Sequence, residues 1–497
     1  MENSKSNNGS ETSNLYRLLP SVNDLLLTPD VAALLHVHSR TAVLDSSRAV
    51  LLRIKQQISD GRHTQGSLMA LLSSLDLAVA DELRRTAQFS LRRVINATGV
   101  ILHTNLGRAP LSASALEHIR ETAAGYSNLE FDLESGERSR RDTHVEQLLL
   151  RLLKAKAGAM TGEVAEAPRA AVVVNNCAAA TFLALNSIAE GTEVLVSRGE
   201  LVEIGGGFRI PEILAKSGAR MREVGTTNRT RLADYESVIS PESGLILRVH
   251  QSNFSIEGFS ARPALDELAS LARRRNIPLF DDQGTGLLFS LDDLEVRSEP
   301  TLFDTFRFGS DLIAASGDKL LGGPQCGLLI GRVDLIERIR KNPLLRTFRV
   351  DKLTYAALEA TLMDHLLNRA DSIPIMKMLH ATSDEISQRC ERIASHLMDD
   401  SLSVDIVPVQ SLIGGGTAPA ARLQSSAIAL RHRSLSPQAL LLALRRLDPP
   451  IIGRISEDSV LLDLRTVEPE FDAKLIYLLE QLAQGHDGSD LLAPDSD

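Results

Sequence analysis

The chain has 497 residues, a formal net charge of −10 at pH 7, 43% hydrophobic and 24% charged residues, and no tryptophan. That length predicts two or three domains in an ordinary water-soluble protein. The negative charge argues against nonspecific coating of nucleic acid, and the few aromatics leave little for single-strand stacking, although a local basic surface stays open.

Residues 1–14 are polar and read as a disordered tail. Met1 to Ser10 has no apolar core for a signal peptide, and no apolar run approaches the roughly 18 to 20 residues of a membrane span, so a cytoplasmic location without membrane contact is expected. Cys177, Cys326 and Cys390 have no metal-ligand spacing, which suits a reducing compartment and predicts no metal site. From Leu15 to about residue 65 the pattern is helical, with Val43, Val50, Leu51, Ile54 and Ile58 on one face and arginines on the other. We read 15–65 as a helical N-terminal domain, 66–93 as a linker helix, 94–355 as a large domain, 356–484 as a small α+β domain and 485–497 as an acidic tail.

The large domain opens on Asn-Ala-Thr-Gly-Val and His-Thr-Asn-Leu-Gly-Arg108, polar loops that suit the lining of a site. The arginine-rich run Ser135 to His144 reads as either a solvated turn or part of that site. Ala170 to Leu185 is a buried strand, a turn of small residues and a helix, whose first turn at Cys177, Ala178 and Ala179 offers backbone N–H groups to a phosphate. Gly162 to Pro168 looks like a loop insertion. Strands and helices then alternate, which predicts an α/β fold with a mainly parallel, doubly wound sheet and a ligand at the strand ends. Asn176, His250, Asn253, Asp281, Asp282 and Lys319 all fall at such ends. Further on, Arg346 and Arg349 sit three apart in a basic loop, a spacing that can bring two guanidiniums to one oxyanion or simply make a surface pair.

Lys319 lies between two apolar strands, flanked by Ser316, Gly317 and Asp318. A buried ammonium costs several kcal/mol unless paired or neutralised. The residue is therefore either a Schiff-base amine with a lowered pKa or a lysine that snorkels from a strand end. The strand Asn276 to Gly286, which ends in Asp281-Asp282, favours the first reading. In pyridoxal phosphate enzymes of the aminotransferase fold a strand-end aspartate keeps the pyridine nitrogen protonated, and the Schiff-base lysine follows some tens of residues later.

The Asn-Ala-Thr-Gly-Val and His-Thr-Asn-Leu-Gly-Arg loops, Val-His-Gln-Ser-Asn-Phe, Asp-Asp-Gln-Gly-Thr-Gly, Ser-Gly-Asp-Lys-Leu-Leu-Gly-Gly-Pro-Gln and Pro-Pro-Ile-Ile-Gly-Arg-Ile together resemble the bacterial selenocysteine synthases, the L-seryl-tRNA(Sec) selenium transferases. The resemblance spans about 15 to 480. It implies a fold-type I pyridoxal 5′-phosphate enzyme that converts seryl-tRNA(Sec) to selenocysteinyl-tRNA(Sec), by loss of water to an aminoacrylyl intermediate and addition of selenium from selenophosphate. By the matching motifs, Lys319 would hold the cofactor and move the α-proton. Asp281, with Asp282 as the alternative, would pair with the pyridine nitrogen, and Asn253 would join the cofactor site. Arg108, Arg346 and Arg349 would bind the phosphate of the selenium donor. The N-terminal domain would bind tRNA, and the chain would assemble as a homodecamer, a pentamer of dimers with active sites at subunit interfaces. Two other readings remain: a related lyase acting on a small amino acid or amino sugar phosphate, and a noncatalytic RNA-binding protein that kept the fold.

Overall fold

The computed structural model describes residues 14–484 other than 88, 162–168, 255, 289, 292–293, 295–298, 398, 415 and 420. Both expected tails and the expected insertion at 162–168 lie outside the described residues, apart from Asn14. The chain divides into two compact units, with the boundary between Arg93 and Val94.

In the first unit, apolar residues three and four apart give each helix one buried stripe. Helices Val22–Leu26, Pro29–Leu34 and Arg40–Ser59 contribute Leu25, Val31, Val43, Val50, Leu51, Ile54 and Ile58 to a common core. Ser21 and Ser39 cap the first and third of these helices through their side chains. The stretch expected as a single linker helix, 66–93, is two helices, Gln65–Leu72 and Leu75–Ala87. Their Leu68, Leu75, Val79 and Leu83 enter the same core, so this stretch is part of the helical unit and not a bridge from it. The reason is ordinary: its apolar residues recur at helical spacing and need a partner to cover them.

The second unit begins with β1 (Ile95–Asn96), which pairs in parallel with a strand far along the chain, Ile451–Ile452. Seven strands form its main sheet: β2 (Arg169–Val174), β3 (Glu193–Ser197), β6 (Arg220–Val224), β7 (Ser243–Val249), β8 (Leu279–Gly284), β9 (Leu312–Ser316) and β10 (Gly327–Arg332). A short hairpin, β4 (Glu203–Ile204) and β5 (Phe208–Arg209), leaves the sheet after β3. The order is β2-β10-β9-β8-β7-β3-β6, parallel throughout except for β10, which runs against both neighbours.

Side chains on a strand alternate between faces, and here both faces are covered. Val172, Val174, Phe280, Leu312 and Ala314 face one layer, which contains the helix Cys177–Ala189. Ala171, Val173, Ile313 and Ala315 face a second layer, and Leu279 faces a third cluster behind β8. The helix Lys352–Leu366 spans the expected boundary at 355/356, and its Tyr355, Leu358 and Leu362 pack into the second layer of the large sheet.

The C-terminal part carries β11 (Leu402–Ser411), β12 (Leu423–His432), β13 (Ile451–Ile452), β14 (Arg454–Ser456) and β15 (Ser459–Asp463). Four of these form an antiparallel sheet in the order β11-β12-β15-β14. Thr98 and Val100 bridge to Asp463 and Leu412, so residues 94–102 lie along this smaller sheet although they were expected as part of the large domain.

Candidate active site

Lys319 stands in the turn between β9 and β10. Gly317 fits there because an added Cβ would lie 2.6 Å from the Pro324 carbonyl oxygen. Its N–H donates to the Cys326 carbonyl, 2.9 Å, and the Gly322 N–H donates to the Lys319 carbonyl, 2.9 Å. This turn lifts the lysine to the strand ends while leaving it only 8% exposed. Its Nζ donates to the carbonyl of Gly416, 3.0 Å, in the glycine loop between β11 and β12. Gly416 has φ +80°, which favours glycine, and a Cβ there would lie 2.9 Å from Nζ and displace the amine. Burial, joined by the nearby Arg108 charge, lowers the pKa of the ammonium, against the pull of the Asp318 and Asp282 carboxylates.

A cavity of about 270 Å³ opens beside Nζ, close to the lower end of roughly 300–1,000 Å³ for small-ligand pockets. Asp282, Cys177, Ala178, Arg108, Asp318 and Lys319 line it, together with His250, Ser252 and the β4–β5 hairpin. The paired aspartates separate as strand alternation demands. Asp282 shares its face with Phe280 and points toward the helix Cys177–Ala189. Its Oδ2 accepts from Thr181 Oγ1 at 2.8 Å and its Oδ1 from Cys177 Sγ at 3.6 Å. Burial pushes its pKa up to about 6. Asp281 points to the opposite face, where Thr305 Oγ1 donates to it at 3.1 Å. It does not line the cavity, so the first choice from the sequence gives way to Asp282.

The phosphate cradle is narrower than expected. Cys177 and Ala178 line the cavity, and as the first residues of their helix they have N–H groups with no acceptor inside it. The Ala179 N–H instead donates to the capping Asn176 Oδ1, 2.8 Å, and Ala179 is not among the lining residues. Burial and the neighbouring Asp282 carboxylate push the Cys177 thiol well up, so it stays protonated and acts as a donor.

Asn253 departs from the expectation. The chain turns away after β7, leaving this residue exposed with its Nδ2 donating to the Glu203 carbonyl, 2.7 Å. It braces the β4–β5 hairpin and does not reach the cavity. Arg108 does reach it. Its Nη1 donates to Asp318 Oδ2 at 2.6 Å, and its backbone holds φ 61°, a left-handed conformation uncommon for a residue with a side chain. Arg346 and Arg349 do not line the cavity. Arg346 is exposed on a four-residue helix, and Arg349 lies 3.6 Å from Glu130. Arg138 and Arg141 of the arginine-rich run meet the same Glu130, so these two basic stretches converge on one carboxylate. Of His103, His144 and His250, only His250 lines the cavity, and its Nε2 lies 3.0 Å from Glu299.

Thr181, Ser252 and Gly416 belong to the site and were not singled out as site residues from the sequence. Thr181 lies one helical turn after Cys177, on the same side of the helix, a spacing that would have found it. Ser252 has a buried Oγ with no hydrogen-bond partner among the described residues.

A family model described as L-seryl-tRNA selenium transferase matches residues 94–468, and one described as the N-terminal part of selenocysteine synthase matches residues 16–53. The L-seryl-tRNA(Sec) selenium transferase of Geobacter metallireducens is 42% identical over 477 residues, covering 94% of this chain and 99% of the relative. That of Aquifex aeolicus is 42% identical over 436 residues, covering 87% and 92%. Among solved structures, D-glucosaminate-6-phosphate ammonia-lyase superposes with a TM-score of 0.53 over 80% of this chain and 97% of its own, at 19% identity, a likeness of fold alone. The fold is that of the fold-type I pyridoxal phosphate enzymes. The residues present fit that cofactor: a buried lysine with a lowered pKa, a buried carboxylate across the cavity and a helix N-terminus between them. The protein is thus a pyridoxal 5′-phosphate enzyme converting seryl-tRNA(Sec) to selenocysteinyl-tRNA(Sec), and the chain belongs to the family of L-seryl-tRNA selenium transferases.

Proposed function

We propose that selenium transfer takes place in the Lys319 cavity, with selenophosphate as donor. The observation that supports this most is the placement of Lys319, Asp282 and the Cys177–Ala178 helix start around one cavity. Pyridoxal phosphate, when bound, supplies the electron sink that makes both the α-proton and the β-hydroxyl of serine removable. Lys319 would hold it and afterwards move the α-proton at Cα, a task that the lowered pKa suits because the amine is more readily neutral. Asp282 would keep the ring nitrogen protonated, oriented by Thr181 and Cys177. The N–H groups of Cys177 and Ala178 would take the cofactor phosphate.

Arg108, which lines the cavity and is held by Asp318, would present its guanidinium to the donor phosphate. Arg346 and Arg349 would reach the donor from a neighbouring copy of the chain, since they do not line the cavity of their own. This reading needs an oligomer, for which we propose the decameric ring, a pentamer of dimers. The helical unit up to Arg93 would bind the tRNA, and the protein would work in the cytoplasm, where its tRNA is. Among the described residues no helix is long and apolar enough to cross a membrane.

Visible absorption of the cofactor-loaded protein tests the reading. A band that shifts with seryl-tRNA(Sec) and not with free serine is expected. A loaded protein without any band would refute the role of Lys319. A band that answers free serine as readily as the charged tRNA would refute the tRNA-bound substrate.

A further inference from the structure

We propose that the β4–β5 hairpin is the platform for the terminal adenosine of the charged tRNA, with the Phe208 ring stacking on the adenine and Gly205 leaving room for it. The inference rests on the reading of the cavity given above and deepens it. A charged tRNA carries its amino acid as an ester of the ribose of its last nucleoside, an adenosine. When the seryl group stands beside Lys319, the ribose and adenine therefore lie one ester bond farther out, along the part of the cavity wall that meets solvent.

Exposure along the wall shows which part that is. Lys319, Asp282 and Ser252 are buried at the floor, while Phe208 is half-buried and Gly205 is exposed. The hairpin thus stands at the open end. Among the described residues that line the cavity, Phe208 carries the only phenyl, phenol or indole ring, and an aromatic face is what holds an unpaired base. The ring is fixed in advance. Phe208 pairs with Ile204 across the hairpin, both pack against the layer that contains the helix Cys177–Ala189, and Asn253 Nδ2 donates to the Glu203 carbonyl beside them. A platform already in place leaves little to be ordered on binding.

Gly205 is a second and independent sign. Gly206 and Gly207 hold φ 82° and 81°, so the turn itself favours glycine at both. The φ of Gly205 lies outside the left-handed region, and an added Cβ would meet nothing within 4 Å. Neither the turn nor the packing asks for glycine there. A glycine that its own fold does not need, on the wall of a ligand cavity, fits the close approach of a ligand to the backbone.

The test uses full-length protein loaded with pyridoxal phosphate and titrated with two stable amides, 3′-deoxy-3′-(L-serylamino)adenosine and L-serine methylamide, read by visible absorption. Both present the amine, the α-proton and the β-hydroxyl of serine, and only the first carries the nucleoside. In the wild type the nucleoside should lower the half-saturating concentration roughly ten- to a hundredfold, which is what one base stacked on an aromatic ring contributes. Phe208→Leu keeps an apolar side chain against the core and removes the aromatic face, so it should bring the two concentrations to within about threefold of each other. Phe208→Tyr should keep the wild-type ratio. Gly205→Leu fills the open space without touching the ring, and it should lose the ratio as Phe208→Leu does.

A wild type that binds the nucleoside amide no more tightly than the methylamide would overturn the proposal, and this needs no variant. So would a ratio that survives Phe208→Leu, including an equal weakening of both amides, or one that is lost in Phe208→Tyr. A ratio that survives Gly205→Leu would do the same, whatever becomes of the Phe208 variants. A wild-type protein that forms no band with pyridoxal phosphate would instead overturn the cavity reading on which the proposal rests.

Discussion

Asp282→Asn should have two opposite effects, and both follow from where the strand places this carboxylate. Burial raises the Asp282 carboxyl from 3.8 to about 6 in the folded protein. The sign follows directly. A folded-state pKa above the unfolded one means that stability is fully present below about pH 4 and is lost as the pH rises through about 6. The difference corresponds to roughly 3 kcal/mol at pH 8. Asparagine keeps the shape and carries no charge. The cofactor-free Asp282→Asn protein should therefore be more stable than wild type at pH 8, by up to that amount, and no more stable near pH 4. Thermal unfolding of cofactor-stripped protein at the two pH values measures this. In the presence of pyridoxal phosphate the order reverses. Removing one partner of a buried charge pair costs about 3–5 kcal/mol, so retention of the cofactor should fall at least about a hundredfold. Asp281→Asn is the control, because its side chain faces Thr305 on the other side of the sheet. It should load cofactor within a few fold of wild type. If Asp281→Asn empties the site and Asp282→Asn does not, the assignment of faces is wrong. If cofactor-free Asp282→Asn gains nothing at pH 8, the burial argument fails.

Two further outcomes are expected. Thr181→Val removes the hydroxyl that donates to Asp282 Oδ2, a hydrogen bond to a charged group worth about 1.5–3 kcal/mol, so cofactor affinity at pH 7 should drop roughly ten- to a hundredfold in a fluorescence titration, and Thr181→Ser should restore most of it. Deletion of residues 1–93 removes a unit with its own core, so the remaining chain should load cofactor normally and lose tRNA affinity in a filter-binding assay; unchanged tRNA affinity would refute the role proposed for the helical unit.

The limits of the sequence reading are physical ones. The lysine turn was legible because everything it needs is local: two apolar strands, a glycine at close quarters, and an aspartate strand upstream. The helical face of Val43, Val50, Leu51, Ile54 and Ile58 was legible for the same reason, and all five are buried as expected. The choice between Asp281 and Asp282 was not. Period-two alternation separates them, but β8 is covered on both faces, so Leu279 and Phe280 are equally apolar and nothing local marks which face holds the cavity. Asn253 failed for a related reason, since it follows the strand and the path of the chain there is set by the hairpin at Glu203. Arg346 and Arg349 share a spacing that fits one oxyanion, yet Arg349 is drawn to Glu130, more than two hundred residues earlier in the chain. The stretch 66–93, expected as one linker helix, did carry the periodicity of a core helix pair in Leu68, Leu75, Val79 and Leu83, with its break at Ser73-Ser74. In each case the residue type announced its chemistry and the partner that decides its use lay elsewhere in the chain. Lys319 shows the same division. Its turn is local, but the carbonyl that receives its Nζ belongs to Gly416, on a loop between strands of the other sheet. The reacting group is therefore positioned by the packing of the C-terminal sheet against the large one, and a substitution that shifts that packing should reach the lysine without touching its motif.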